Sequence, residues 1–180
     1  MQYKRRSEKK TDYQQRFALL KSGKARMVVR RGIRNIRIQF VTYADKGDIT
    51  HVNVLSKSLS AYGWKGHCGN ICAAYLTGML AGKRAIKAGI KEAVLDAGLQ
   101  ITTKSSAVFA AAMGARDAGI SIPLGDVADT KRISGKHIAE YAKLIKQNGN
   151  EKQFSLVKKH IEPENIESHF ESVKKRIEEE

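Results

Sequence analysis

Two cysteines, Cys68 and Cys72, sit four positions apart in a chain of 180 residues. That is too little to staple a fold, which excludes the disulfide frameworks of small secreted domains. No apolar signal segment follows the polar start Met1-Gln2-Tyr3-Lys4-Arg5-Arg6. The longest uncharged stretch near the middle, Cys68 to Gly82, is too short for a membrane span and is rich in small residues. A cytoplasmic, non-membrane protein is the expectation. There is no internal repeat and no coiled-coil heptad.

The chemistry of most enzymes is missing as well. Neither GxGxxG nor GxxxxGKS occurs, and Gly63, Gly66 and Gly69 lack the spacing and the preceding strand of a nucleotide fold. His51, His137, His160 and His169 are scattered without nucleophile partners. The basic half of the chain has no carboxylate cluster to hold a catalytic metal. Asp96, at a predicted strand end, is better explained as a turn cap. His67, Cys68 and Cys72 are one ligand short of a structural zinc set, and Cys72 reads as a buried apolar residue. No cofactor and no metal are expected, and no enzymatic activity.

What the sequence does have is positive charge: 33 Lys and Arg against 18 Asp and Glu, a net charge of +15. A nucleic acid is the first partner this implies, and an anionic membrane surface the second. The charge is segregated. Residues 1–37 hold 13 basic residues and only Glu8 and Asp12 as acids, net +11. Solubility needs no such segregation. A polyanion-binding arm does, because each Lys or Arg set against a phosphate releases counterions. Lys4, Arg5, Arg6, Lys9, Lys10 and Arg16 form the arm, with Tyr3, Tyr13 and Phe17 between them as rings able to stack on unpaired bases. Lys21, Lys24, Arg26, Arg30, Arg31, Arg34 and Arg37 carry the charge on into the folded part. Residues 1–16 are expected to order only on a polyanion.

The apolar pattern predicts an α/β fold: a mixed, mainly antiparallel sheet packed with helices, between a basic N-terminal extension and a C-terminal helical extension. The expected divisions are an arm over 1–25, a core over 26–147 and an acidic helical extension over 148–180. A short helix is predicted over 12–21, capped by Thr11 or Asp12. Strands are predicted over 26–31, 33–43 and 49–55, with Ile36, Ile38 and Phe40 inward and Arg37 and Gln39 facing a partner. A helical turn over 56–63 precedes a helix opened by Gly69 or Asn70 and stopped by Gly89. A fourth strand over 91–97, a helix over 105–118, a loop over 121–129 and a helix over 137–147 complete the core. Asn148-Gly149-Asn150 marks a boundary, and the tail reads as one or two surface helices with Pro163 near the start of the second. The central helix is crowded with Ala73, Ala74, Gly78, Ala81, Gly82, Ala85 and Ala88. Each internal Gly costs about 1 kcal/mol against Ala, and close packing on the sheet is the favoured reason.

Four ordered segments carry a family resemblance. The first is Arg5-Arg6, Thr11-Asp12-Tyr13, Arg16 and Leu19 to Lys24. The second is Tyr62-Gly63-Trp64, Gly69-Asn70, Ala74 to Gly78 and Leu80-Ala81-Gly82. The third is Ala93 to Asp96 with Gly98-Leu99. The fourth is Gly114-Ala115, Asp117-Ala118-Gly119, Ile122-Pro123 and His137 to Tyr141. Together they resemble the archaeal large-subunit ribosomal proteins of the L-eighteen family, which bind 5S ribosomal RNA. The resemblance covers about residues 4–145. It implies a protein without catalytic activity that clamps 5S ribosomal RNA and helps tie it to the large-subunit ribosomal RNA in the central protuberance, beside neighbouring ribosomal proteins. It implies RNA contacts at Arg5, Arg6, Tyr13, Arg16, Lys21, Lys24, Arg30, Arg31, Arg34, Arg37, Trp64, Gly69 and Asn70. The chain departs from the family pattern at Ile33, Asn35 and Ile71. Two other readings stay open at this point, a module for transfer or messenger RNA and a basic RNA-modifying enzyme.

The thin ligand set generates a prediction. Protein purified without chelator should contain far less than one zinc per chain by elemental analysis, and a chelator should leave its circular dichroism unchanged. A stoichiometric metal whose removal unfolds the core would overturn this.

Overall fold

The computed structural model describes residues 3–147, 154 and 160–180; the predicted boundary at 148–150 and the start of the tail lie outside them. Strands β1 (Ala25–Arg31), β2 (Ile36–Thr42) and β3 (Ile49–Leu55) form an antiparallel meander. The fourth, β4 (Ala93–Asp96), joins parallel to β1, giving the order β3-β2-β1-β4. The long strand predicted from Ile33 starts three residues later. Gly32–Asn35 is a turn instead, closed by the Gly32 amide donating to the Asn35 carbonyl at 2.8 Å. Its tip, Ile33, is 94 % exposed, so period-two hydrophobicity is broken there and cannot hold a strand.

Period two decides the rest. Met27, Val29, Ile36, Ile38, Phe40, Val52 and Val54 are buried under helices. Ser56 is also buried; its hydroxyl accepts from the Ile36 amide at 2.9 Å and satisfies the first donor of β2. The covering layer is α3 (Ile71–Lys87) and α4 (Ala107–Asp117). Asn70 caps α3, its side-chain oxygen accepting from the Ala73 amide at 2.7 Å. The crowd of small residues on α3 has a different cause from the expected one. Gly78 and Gly82 face α4, not the sheet. A Cβ on Gly78 would lie 2.0 Å from the Ala111 carbonyl oxygen, and one on Gly114 of α4 would lie 2.1 Å from that of Tyr75. The two helix backbones touch, and only glycine permits it.

After the 121–129 loop a helix absent from the expectation, α5 (Thr130–Ser134), precedes α6 (Lys136–Gln147). Gly135 separates them at φ +90°, a conformation that costs other residues about 1 kcal/mol or more. The tail helix α7 (Ile166–Glu178), entered through a turn of 3-10 helix at Pro163–Asn165, is more than a surface decoration. Its Ile166, Phe170, Val173 and Ile177 recur at helical spacing and are all buried. Phe170 meets Tyr75 of α3, ring centroids 5.6 Å apart. Tyr62, Arg84 and Lys87 hold the Glu180 end: Tyr62 Oη donates to Glu180 Oε2 at 2.6 Å, and Lys87 Nζ to its carbonyl at 2.9 Å.

The glycine contact fixes the sign of a substitution that helix propensity would get wrong. Alanine is the better helix former by about 1 kcal/mol. Gly78→Ala and Gly114→Ala should nonetheless each destabilise the fold, by about 1–3 kcal/mol of overpacking, measured by urea denaturation.

Candidate nucleic-acid interface

The helices cover one face of the sheet. The other face carries Arg26, Val28 and Arg30 from β1, Arg37, Gln39 and Val41 from β2, and the end of β4 at Asp96. Helix α2 (Tyr13–Leu20) lies over part of it, capped by Asp12, whose carboxylate accepts from the Gln14 and Gln15 amides at 2.9 and 3.1 Å. The arm before it holds one helical turn, α1 (Lys4–Ser7). Tyr3 stacks on Tyr13 at 4.9 Å, and Arg5 Nε donates to Thr11 Oγ1 at 2.9 Å.

The arginines divide into two sets. Arg26 is buried. Its guanidinium donates to Asp48 at 2.6 Å and to Asp96 at 3.1 Å, while its Nε has no partner. The same Asp48 oxygen accepts from Arg16 at 2.8 Å. Asp96 also binds Arg30 at 2.9 Å and accepts from the Gly98 amide at 3.0 Å. The expected turn-capping role of Asp96 is therefore present, along with an ion-pair role that spacing did not reveal. A buried arginine of this kind is held in place, not offered to a ligand.

Arg31, Arg34 and Arg37 form the second set. None has a carboxylate partner among the described residues. They gather at the β1–β2 turn, where Arg30 and Arg37 stand directly opposite each other across the strands. Like charges in that register repel, at roughly 0.2–1 kcal/mol, unless an anion comes between them. The same turn meets the start of α3, since a Cβ on Gly69 would lie 2.8 Å from the Ile33 carbonyl oxygen. Two predicted regions far apart in the chain, the basic turn and the Gly69-Asn70 pair, are thus one place. Leu99 of the loop after β4 lines a surface hollow together with Arg6, Lys9 and Tyr13, so the arm continues this surface.

The other predicted residues fall as follows. Lys4, Arg6 and Lys9 are exposed on the arm. Lys10 pairs with Glu8 and Lys24 with Glu92, both on the surface, where such pairs contribute little. Lys21 lies over the Phe17 ring at 4.9 Å. Asn70 spends its side chain on the helix cap. Trp64 is 4 % exposed and stacked on His169 of α7 at 5.2 Å, which leaves no free ring face for a base. Burial, with Lys65 and Arg176 close by, holds the His169 imidazole below its ordinary pKa, so its Nε2 stays able to accept from the Lys65 amide at 3.1 Å. Burial pushes the Cys72 thiol up to about 12, and Gly135 packs on its sulfur. Sequence reasoning passed over Lys131, Arg132 and Lys136, which flank that Gly135 turn beside the start of α3. The signal available was a Lys-Arg pair ahead of a glycine. No described helix is long and apolar enough to cross a membrane.

A sheet with one face buried under helices and the other bearing paired and unpaired arginines beside a basic arm presents a cationic surface suited to a polyanion. Residues 1–91 match the family model for ribosomal large subunit proteins 60S L5 and 50S L18. The chain is also 47 % identical over 180 residues to the large ribosomal subunit protein uL18 of Methanococcus maripaludis, covering 97 % of this chain and 93 % of that one. The chain belongs to the uL18 family of ribosomal proteins. Its role is that of a structural constituent of the large ribosomal subunit, with ribosomal RNA and ribosomal proteins as its partners.

The two arginine sets predict opposite responses. Asp96→Ala removes one of the two carboxylates on the buried Arg26, leaving Asp48, and should cost about 1–3 kcal/mol of stability. Arg37→Ala should change stability by no more than about 0.5 kcal/mol. Equilibrium denaturation of both variants checks this, and equal losses would mean that Arg37 is also structural.

Proposed function

We propose that this protein binds 5S ribosomal RNA and helps attach it to the large-subunit ribosomal RNA in the central protuberance. The observation that carries the RNA reading is the group of Arg31, Arg34 and Arg37 at the β1–β2 turn, none with a carboxylate partner among the described residues, whereas Arg26 and Arg30 of the sheet are held by aspartates. Repulsion within that cluster is relieved by phosphates. The choice of 5S among ribosomal RNAs rests on the resemblance of the four motif segments. The predicted contacts Lys4, Arg5, Arg6, Lys9, Lys10 and Tyr13 supply the arm; Arg30 adjoins the cluster, and Lys21 and Lys24 lie at the other end of β1.

A basic RNA-modifying enzyme is the less favoured reading. Asp48 and Asp96, the carboxylates on the strands' open face, are both bound by arginines and cannot act as metal ligands or general bases without breaking the fold. A transfer- or messenger-RNA module shares the charge pattern and is separated by selectivity.

Filter retention of 5S ribosomal RNA over a salt series, with transfer RNA as competitor, tests the proposal. Affinity should fall on the order of 1,000-fold between about 50 and 200 mM salt if six to ten phosphates are met, and 5S should win over transfer RNA. Replacing Arg31, Arg34 and Arg37 with Gln should flatten the salt slope by up to about three phosphates' worth. Deleting residues 1–10 should weaken binding while leaving the melting temperature nearly unchanged. Equal binding of transfer RNA, or a flat salt response, would sink the proposal.

A further inference from the structure

A cleft of about 270 Å³ opens on the uncovered face of the sheet, between α2 and the loop that follows β4. Val28, Gln39 and Val41 come to it from the strands, with Leu19 of α2 and Leu99 of the loop adding further apolar surface. Its charged lining comprises five basic residues, Arg5, Lys10, Arg16, Arg26 and Arg30, against three carboxylates. Each carboxylate is already engaged: Asp12 by the α2 amides, Asp48 by Arg16 and Arg26, and Asp96 by Arg26, Arg30 and the Gly98 amide. The lining is therefore net cationic. Of its polar side chains without a hydrogen-bond partner, Gln15 and Thr50 are exposed and one lies deeper. The half-buried Gln39 carboxamide has no hydrogen-bond partner among the described residues.

An apolar patch, a free carboxamide and a cationic rim form a combination that duplex phosphates do not require. A groove that only tracks a backbone needs charge alone. An unpaired nucleotide needs all three, because its base has an apolar face, its Watson–Crick edge carries donor and acceptor side by side, and its phosphate is an anion. The volume is near the lower end of small-ligand pockets, about 300 Å³. We infer that this cleft holds one unpaired nucleotide of the bound RNA, with its base against Val28 and Leu99, its edge met by the Gln39 carboxamide and its phosphate on Arg16 and Lys10. Arg16 can turn to the phosphate because Asp48 keeps Arg26 as a partner. The inference rests on the proposed RNA-binding role and names the chemical unit that this part of the surface takes.

The test is nucleotide-resolution probing of base reactivity on 5S ribosomal RNA, with dimethyl sulfate and carbodiimide, in complex with the full-length protein and with its Gln39→Ala and Leu99→Asp variants. The wild-type protein should shield the Watson–Crick edge of an unpaired nucleotide. Gln39→Ala should re-expose it and weaken binding by about tenfold, as expected for loss of one base contact, with the salt slope unchanged because no charge is lost. Leu99→Asp, which sets a carboxylate on the cleft wall, should re-expose the same nucleotide with a larger loss. Identical footprints and affinities in all three proteins would overturn the cleft while leaving 5S binding standing. A lowered melting temperature accompanying a general loss of footprint would reduce Gln39 to a structural residue and overturn it equally. If the wild-type protein fails to bind 5S RNA at all, the proposed function falls and the cleft's nucleotide with it.

Discussion

The guanidinium of Arg26 lies between Asp48 and Asp96 with almost no access to water. An isolated charge in such a place would cost several kcal/mol in lost hydration, so the two carboxylates and the groups they hold become obligatory to one another. Asp48 comes from the β2–β3 turn and also holds Arg16 of α2. Asp96 comes from the end of β4, holds Arg30 and turns the chain at Gly98. One buried cation thus ties together three strands, the helix over their open face and the loop at its edge. It also determines which arginines are spent within the fold and which are left over.

The opposite face is governed by a steric constraint. The backbones of α3 and α4 meet at Gly78 and Gly114 with no room for a methyl group. This close approach brings α3, with Leu76 and Leu80, and the alanine-rich α4 together over Met27, Ile38 and Phe40. It also leaves another side of α3 free for α7, whose Phe170 and Ile177 complete the core. The C-terminal segment is part of the packed structure for that reason, whatever its exposed charges resemble.

These two constraints together shape the surface proposed to bind RNA. Helices seal one face, so any ligand of the sheet must meet the other. On that face the aspartates neutralise the cations nearest α2, and the excess positive charge concentrates at the β1–β2 turn and along the arm. Charge segregation of this kind gives long-range attraction to a polyanion, and the turn packs against the start of α3 at Gly69.

Much of this was legible in the sequence. Alternation in β1, β2 and β3 put Ile36, Ile38 and Phe40 inside, and Asn70 and Gly89 bounded α3, because local periodicity and capping are short-range physics. The concentration of charge in residues 1–37 and the four motif segments pointed to ribosomal RNA and to the family. Other features depend on residues distant in the chain. Nothing local distinguishes Arg26, held by partners 22 and 70 positions away, from Arg37, which has none. The resemblance implies an RNA contact at Trp64, but His169, more than a hundred residues later, covers its ring. Gly78 reads as sheet packing until α4 arrives. Composition and periodicity determined that this is a basic α/β protein with a strongly basic N-terminal arm. Only the tertiary structure decided which cations remain free, because a charge is spent or spared by what the fold brings within about 3 Å of it.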